Sequence, residues 1–218
     1  AGAQNSPVLT IRRGIELAQQ TGSAVYVTAG PYSESVNLPV GMSLYGGFTA
    51  GTSCLRNPVA QVTTITSDAD TTLTTGILSG SPATTAAAVI DGLTLRNTGL
   101  AFRTTTLAII NTSSSSPLLE VRNNLIFGGN NKDQTSVAVF FQKAGPVLVN
   151  NVISGGNSGS SIGIDLRESP LSKIVHNTVY GGRSTQSSYG VKAKDSSPVL
   201  INNILVTDNG GKDLIDDQ

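Results

Sequence analysis

Tryptophan is missing from this chain of 218 residues, and cysteine, methionine and histidine occur once each. A lone Cys54 cannot close an intrachain disulfide, so the fold is not a disulfide-stapled scaffold, and cysteine usage does not decide the compartment. Cys54 sits in the loop-like TAGTSCLRNP with no histidine in a comparable element, which makes it a bystander rather than a nucleophile. One histidine leaves no His or Cys set for a zinc centre, and no cofactor or metal is expected. Charge is scarce, at 13% of residues, and balanced, with Lys plus Arg and Asp plus Glu both at 14. No basic field therefore speaks for nucleic acid, and no acidic field for a cationic partner. No apolar run reaches membrane-spanning length. The opening AGAQNSP lacks the pattern of a signal peptide and reads as a mature end from which one has been removed.

What the chain does contain is a motif returning every 26 or 27 residues. The copies are SPLLEVRNNLIFGGNN from Ser116, GPVLVNNVISGGNSG from Gly145, SPLSKIVHNTVYGGRST from Ser169 and SPVLINNILVTDNGG from Ser197. A fixed period in this range means stacked repeats. Each period holds short β-rich runs bounded by Gly, Asn, Ser and Pro: VIS, SIGIDLR and SKIVHN in one, TVY, YGVKAK and PVLIN in the next. Three short strands per period describe one coil of a parallel β-helix. In the Asn pair one residue suits a left-handed corner, and stacked amides suit a ladder along the axis. Asp91-Gly92 is expected to stand where later copies have Asn-Asn. Gly46-Gly47, Gly128-Gly129, Gly155-Gly156 and Gly181-Gly182 are expected to mark a second bend.

The first half repeats less cleanly, which predicts inserted loops there. Ahead of it lies the only helical pattern, SPVLTIRRGIELAQQTG, with Pro7 suited to the first turn and Gly22 to the stop. Ile11, Ile15 and Ala18 share one face, so the helix is expected to plug the N-terminal end of the stack. The expected architecture is all-β: a right-handed parallel β-helix of about seven coils with an N-terminal capping α-helix. It forms one domain over 1–218, with the cap in 1–22, coils in 23–218 and regular repeats from about 116. The tail NGGKDLIDDQ lacks a capping helix; either it covers the last coil or the natural protein continues.

The stretch TIRRGIELAQQTGSAVYVTAGPYSESVNLPVGMSLYGGF resembles the opening of bacterial right-handed parallel β-helix proteins of the pectin-lyase-like superfold. There a capping helix leads into a "VYV..G.Y.E.V.L" strand pair and then "G.SLYGGF". The close match covers roughly the first fifth of the chain. The resemblance implies the fold, a bacterial source and a secreted or cell-surface location. Because this fold carries lyases, hydrolases, epimerases and adhesins alike, it does not fix an activity.

The candidate surface is the outer face of the strands SVAVFFQK, SIGIDLRE and YGVKAKD. Alternation turns Val139, Phe141, Ile164, Leu166, Val191 and Ala193 inward. Phe140, Asp165 and Lys192 then form one outward column, Gln142, Arg167 and Lys194 the next, and Lys143, Glu168 and Asp195 lie at the strand ends. The expectation is a solvated face with Asp165 paired to Lys192 across coils, able to bind a polysaccharide or a surface protein. Catalytic residues are not expected: no converging carboxylates stand out for calcium, and the acidic pair Asp216-Asp217 falls in the tail, away from any partner. His176 replaces the first Asn of a pair and reads as structural. Asp68, Asp70 and Asp91 read as turn acids rather than a calcium site. The Thr-rich runs TTITSDADTTLTT and RTTTL lack the coil-by-coil register of an ice-binding face. The leading function is a non-catalytic, adhesin-like scaffold; the alternative is a polysaccharide lyase or glycoside hydrolase.

Overall fold

The computed structural model describes residues 6–51, 54–76, 87–110, 119–208 and 211–217. They form three parallel sheets of seven strands each. The first contains Val25–Thr28, Leu44–Phe48, Ala88–Asp91, Leu119–Arg122, Val147–Val149, Lys173–Val175 and Val199–Ile201. The second contains Gly30–Ser33, Thr63–Ser67, Leu93–Asn97, Leu125–Phe127, Val152–Ser154, Thr178–Tyr180 and Ile204–Val206. The third contains Val36–Leu38, Thr71–Gly76, Arg103–Ile110, Thr135–Gln142, Asn157–Arg167, Arg183–Lys194 and Lys212–Asp217. The chain visits the sheets in turn, so each coil supplies one strand to each. This is the expected seven-coil right-handed β-helix.

Fully buried Leu44, Ile90, Val121, Leu148 and Ile174 run down the inside of the first sheet, and Ile65, Leu95 and Ile126 down the second. They belong to one continuous core cluster with Leu107, Phe141 and Ile164 of the third. The helix Ile11–Thr21 adds Ile11, Ile15 and Ala18 to that cluster, closing the first coil as expected. It begins later than the proline suggested. Thr10 is the N-cap, its hydroxyl accepting from Arg13 N at 3.2 Å. The Glu34 carboxylate accepts from the amides of Ile11 (2.8 Å) and Arg12 (3.0 Å). A carboxylate at the first turn satisfies free donors and complements the helix dipole, which outcompetes the fixed φ of Pro7. Gly22, at φ 65°, ends the helix in the left-handed region.

At the first corner the leading residue of each pair takes that same conformation: Asn123, Asn150, His176 and Asn202 have φ between 50° and 55°. The second residue turns inward and builds a ladder. Asn124 N and Nδ2 donate to Asn151 Oδ1 at 3.0 and 3.1 Å. Asn151 does the same to Asn177, both at 2.9 Å, and Asn177 to Asn203 at 2.8 and 3.2 Å. The equivalence with Asp91-Gly92 is off by one residue. Arg122 pairs with Asp91, and Leu125 with Thr94, so Gly92-Leu93 occupies the Asn-Asn positions. Gly92 takes the left-handed corner (φ 72°), and Leu93 N donates to Asn124 Oδ1 at 2.9 Å, so the ladder starts beneath a leucine.

Two further expectations need correction. Gly46-Gly47 lies inside Leu44–Phe48, at the first corner, where a Cβ on Gly46 would stand 2.5 Å from Gly92 O. The other three Gly pairs do follow strands of the second sheet and form the second bend. Strands of the third sheet are also longer than their apolar runs. In Asn157–Arg167 and Arg183–Lys194 the Ser-rich start is already strand, because inward Ser161 and Ser188 hydroxyls donate to Arg183 O (2.7 Å) and Gly182 O (2.8 Å). The first half does carry an inserted loop after Leu44–Phe48, described over 49–51 and 54–62. Its Arg56 reaches the first corner, with Nε donating to Gly46 O at 2.9 Å. Residues 77–86 and 111–118, in the half where further insertions are expected, lie outside the described residues. The tail is a strand: Asp216 and Asp217 pair in register with Ala193 and Lys194.

Candidate ligand-binding face

The core-facing half of the sequence alignment holds. Val139, Phe141, Ile164, Leu166, Val191 and Ala193 are buried within the core cluster. The columns hold too: Phe140, Asp165 and Lys192 are in register, as are Gln142, Arg167 and Lys194. Lys143, Glu168 and Asp195 occupy the third corner in the left-handed conformation (φ 51°, 49° and 51°). Lys143 Nζ stands 3.4 Å from Glu168 Oε2 there.

The face is not the flat solvated surface that alternation suggested. Ala138 and Val139 both belong to the core, so the strand Thr135–Gln142 changes phase between them. Register puts the same step at Gly163 and Gly190 in the neighbouring strands. A Cβ on Gly163 would meet Val179 Cγ1 at 2.6 Å, so the inward position at this step is cramped. Two outward columns flank the step: Thr105, Val137, Ile162 and Tyr189, and then Ala108, Phe140, Asp165 and Lys192. Val137, Ile162 and Ala108 are buried without joining the core cluster. The outer face therefore carries its own packed apolar strip.

Asp165 lies in this strip with its side chain only 1% exposed. Its Oδ2 accepts from Arg103 Nη2 at 2.8 Å and from Arg167 Nη2 at 3.1 Å. Arg103 reaches it from two coils away, its guanidinium carbon passing 4.6 Å from the centre of the Phe140 ring. Arg167 approaches the same ring at 5.4 Å. The ring is thus in cation–π range of two guanidinium groups that share one carboxylate oxygen. Asp165 Oδ1 is buried with no hydrogen-bond partner among the described residues. Burial lowers the Arg103 pKa from its ordinary value, with Asp165 acting in the opposite direction; a guanidinium remains a cation at neutral pH. Lys192 Nζ lies 5.2 Å from the Tyr189 ring centre, and Lys194 is exposed. The expected Asp165–Lys192 pairing is replaced by arginines because only a long, planar guanidinium spans the strip and covers it at once.

Sequence reasoning missed Arg103 and Tyr189. The signal was present: aligning RTTTLAII with the later third-sheet strands sets Arg103 beside Thr135 and Tyr189 beside Ile162.

Elsewhere the candidate residues stay apart. Asp91 belongs to the first corner, held by Arg56 (3.0 Å), Arg122 (3.0 Å) and Asn123 (3.1 Å), not by Asp68 or Asp70. Burial pushes the Asp91 carboxyl up, but the bonds from Arg56, Asn123 and Arg122 outweigh it and hold the pKa below its ordinary value. Asp68 and Asp70 lie between the second and third sheets. Among the described residues no three His, Cys, Asp or Glu side chains converge to hold a metal. His176 is exposed at its corner, its amide donating to Ile201 O at 3.0 Å. Cys54 is exposed. No helix among the described residues is long and apolar enough to cross a membrane.

The face can thus hold charge and present rings; Asp165 is enclosed, and the final strand sets Asp217 in register with Lys194. Comparison with known proteins adds a family and no activity. No curated protein and no solved structure matches the chain. A family model described as "Protein of unknown function (DUF1565)" matches residues 1–215, nearly the whole stack from capping helix to final strand, and the chain belongs to that family.

Proposed function

We propose that this chain is a non-catalytic β-helix scaffold, secreted or held at the cell surface and adhesin-like, whose third-sheet face binds acidic polysaccharide. The observation that carries this reading is the charge arrangement around Phe140. Arg103 and Arg167 share the single carboxylate of Asp165, while Lys192 and Lys194 continue the cationic strip on the adjacent strand. Cations beside half-buried rings suit an anionic sugar chain, whose carboxylates pair with guanidinium and ammonium groups and whose C–H faces pack on rings. The repeat of about 4.8 Å between coils offers contacts at regular intervals along an extended polymer. Asp165 lies under two arginines and is poorly placed to take a proton from a substrate.

The test is a panel of acidic and neutral polysaccharides, with and without calcium, scored for binding and for unsaturated or new reducing ends. The expected result is salt-sensitive binding to acidic chains, weakened in Arg167→Gln and Lys194→Gln, with no product released. Product from any substrate overturns the scaffold reading in favour of a lyase or hydrolase. Binding that ignores both substitutions removes this face as the site.

A further inference from the structure

A second site lies on a different wall of the helix, at the outer edge of the second sheet. Near the end of each strand there, just before the bend, register stacks Thr66, Arg96, Phe127, Ser154, Tyr180 and Val206 in one outward column. Phe127 and Tyr180 are two coils apart, about 9.5 Å at the strand spacing. Ser154 stands between them with only a hydroxymethyl group. The missing bulk leaves a cavity of about 250 Å³ bounded by both rings. Arg96 and Arg183 also line it, as do Asn130 and Asn157 beyond the bend.

Each wall is defined. The Arg96 guanidinium carbon lies 4.3 Å from the Phe127 ring centre. Arg96 comes from the strand on the side away from Ser154 and still lines the cavity, so it holds the ring and reaches the slot at its rim. Gly156, at φ 95°, has no room for a side chain: a Cβ there would overlap Gly129 O, so the bend beneath the cavity is packed backbone. Arg96 and Arg183 are exposed and form no ion pair among the described residues. Two cations without a carboxylate at one cavity call for an anion.

The geometry points to a binding site for a single acidic sugar ring, a uronic acid, held between Phe127 and Tyr180 with its carboxylate between Arg96 and Arg183. The slot is about one ring thick once each aromatic contributes its own half-thickness of about 1.7 Å. Apolar C–H faces of a pyranose pack on the rings. The amides of Asn130 and Asn157 can both donate and accept, which suits hydroxyl groups rather than the bare edge of an aromatic ring. This site stands on its own geometry and does not rest on the reading of the third-sheet face.

The experiment is an NMR titration of the intact chain with methyl glucuronide, methyl glucoside and benzoate, following the amides of Gly128 and Gly156. The glucuronide is expected to give saturable shifts, with the glucoside at least about tenfold weaker because it lacks the charge-assisted bonds. Ser154→Leu, which fills the slot from an outward position, should abolish the shifts without changing thermal unfolding. Arg96→Gln and Arg183→Gln should each weaken binding about tenfold, and Tyr180→Ser, which removes a wall without filling space, should weaken it too. Lys194→Gln should leave the titration unaltered, which separates this site from the third-sheet face. No saturable shift, indifference to both Ser154→Leu and Tyr180→Ser, or benzoate binding as well as the glucuronide overturns the assignment.

Discussion

Arg103 and Asp165 meet at 2.8 Å although they are 62 residues apart and belong to strands separated by a full coil, with the ring of Phe140 under the arginine. The pair ties three consecutive coils together from outside the core. Asp165→Ala is therefore expected to cost about 2 kcal/mol, because two arginines lose a shared charge-assisted partner. In a double-mutant cycle with Arg103→Gln the two changes should fall short of additivity. Urea titration reads both numbers, and an Asp165→Ala variant as stable as the parent would mean that the clamp contributes nothing.

Ile164, one residue earlier, points the other way. Ile164→Asp buries a carboxylate without a partner inside the core column and should prevent folding. Lys194→Ala, at the exposed end of the adjacent strand, should stay within about 0.5 kcal/mol of the parent. Soluble, cooperative unfolding of Ile164→Asp would put the phase of this strand in error.

Asn151 makes bonds in both directions along the ladder and a further one to Val121 O at 2.8 Å. Asn151→Ala removes the acceptor of the buried Asn124 N and the side-chain donor to Val121 O, and leaves Asn177 Oδ1 with the main-chain N–H of residue 151 alone. A loss of about 3 kcal/mol is expected, larger than for Asn203→Ala, which has a neighbour on one side only. Equal losses at the two positions would show that the amides act independently.

His176 holds φ 55° at a corner where its neighbours are Asn150 and Asn202. If backbone conformation decides this position, His176→Asn should be neutral or slightly stabilising, and His176→Val should cost about 1–2 kcal/mol. Thermal unfolding of the two variants separates a conformational role from one that needs the imidazole.

Asp91 gives the fold an acid-sensitive point. Its carboxyl is held below the ordinary value in the folded state, so its contribution is complete above the unfolded pKa and is lost as pH falls through the folded one. Stability measured by denaturant should decline on acidification below the ordinary carboxylate range. In Arg122→Gln, which removes the 3.0 Å contact to Oδ2, that decline should be shallower. A parallel decline in both proteins would assign the acid sensitivity to other groups.

The periodic part of the fold was legible because its signals are local. An Asn that turns a left-handed corner, an Asn that bonds the next coil and a Gly pair at the bend repeat at fixed distance along the chain. The same reading slipped at Asp91-Gly92, where the left-handed residue is the glycine and the ladder position is filled by Leu93, so residue identity misled by one place. It slipped again at Pro7, since the helix start is set by Glu34 from beyond the first strand. The outward columns of the third sheet were visible from alternation, but the burial of Asp165 was not. Its cover is Arg103, two coils distant, and alternation within one strand carries no information about what leans over it. The slot at Ser154 was hidden for a related reason: a small residue between two large ones is a cavity only once register puts all three side by side.

The bonds between the inward asparagines all run the same way. The main-chain N–H of Asn124 is completed by the side-chain oxygen of Asn151, that of Asn151 by the side chain of Asn177, and that of Asn177 by the side chain of Asn203. A corner is thus finished not by its own turn but by the one that follows it. Growth of the solenoid is vectorial in these bonds: each arriving turn accepts the main-chain N–H of its predecessor's asparagine and leaves its own for the next, while side-chain amides reaching back, as Asn151 Nδ2 does to Val121 O, hold the turns together from the other side.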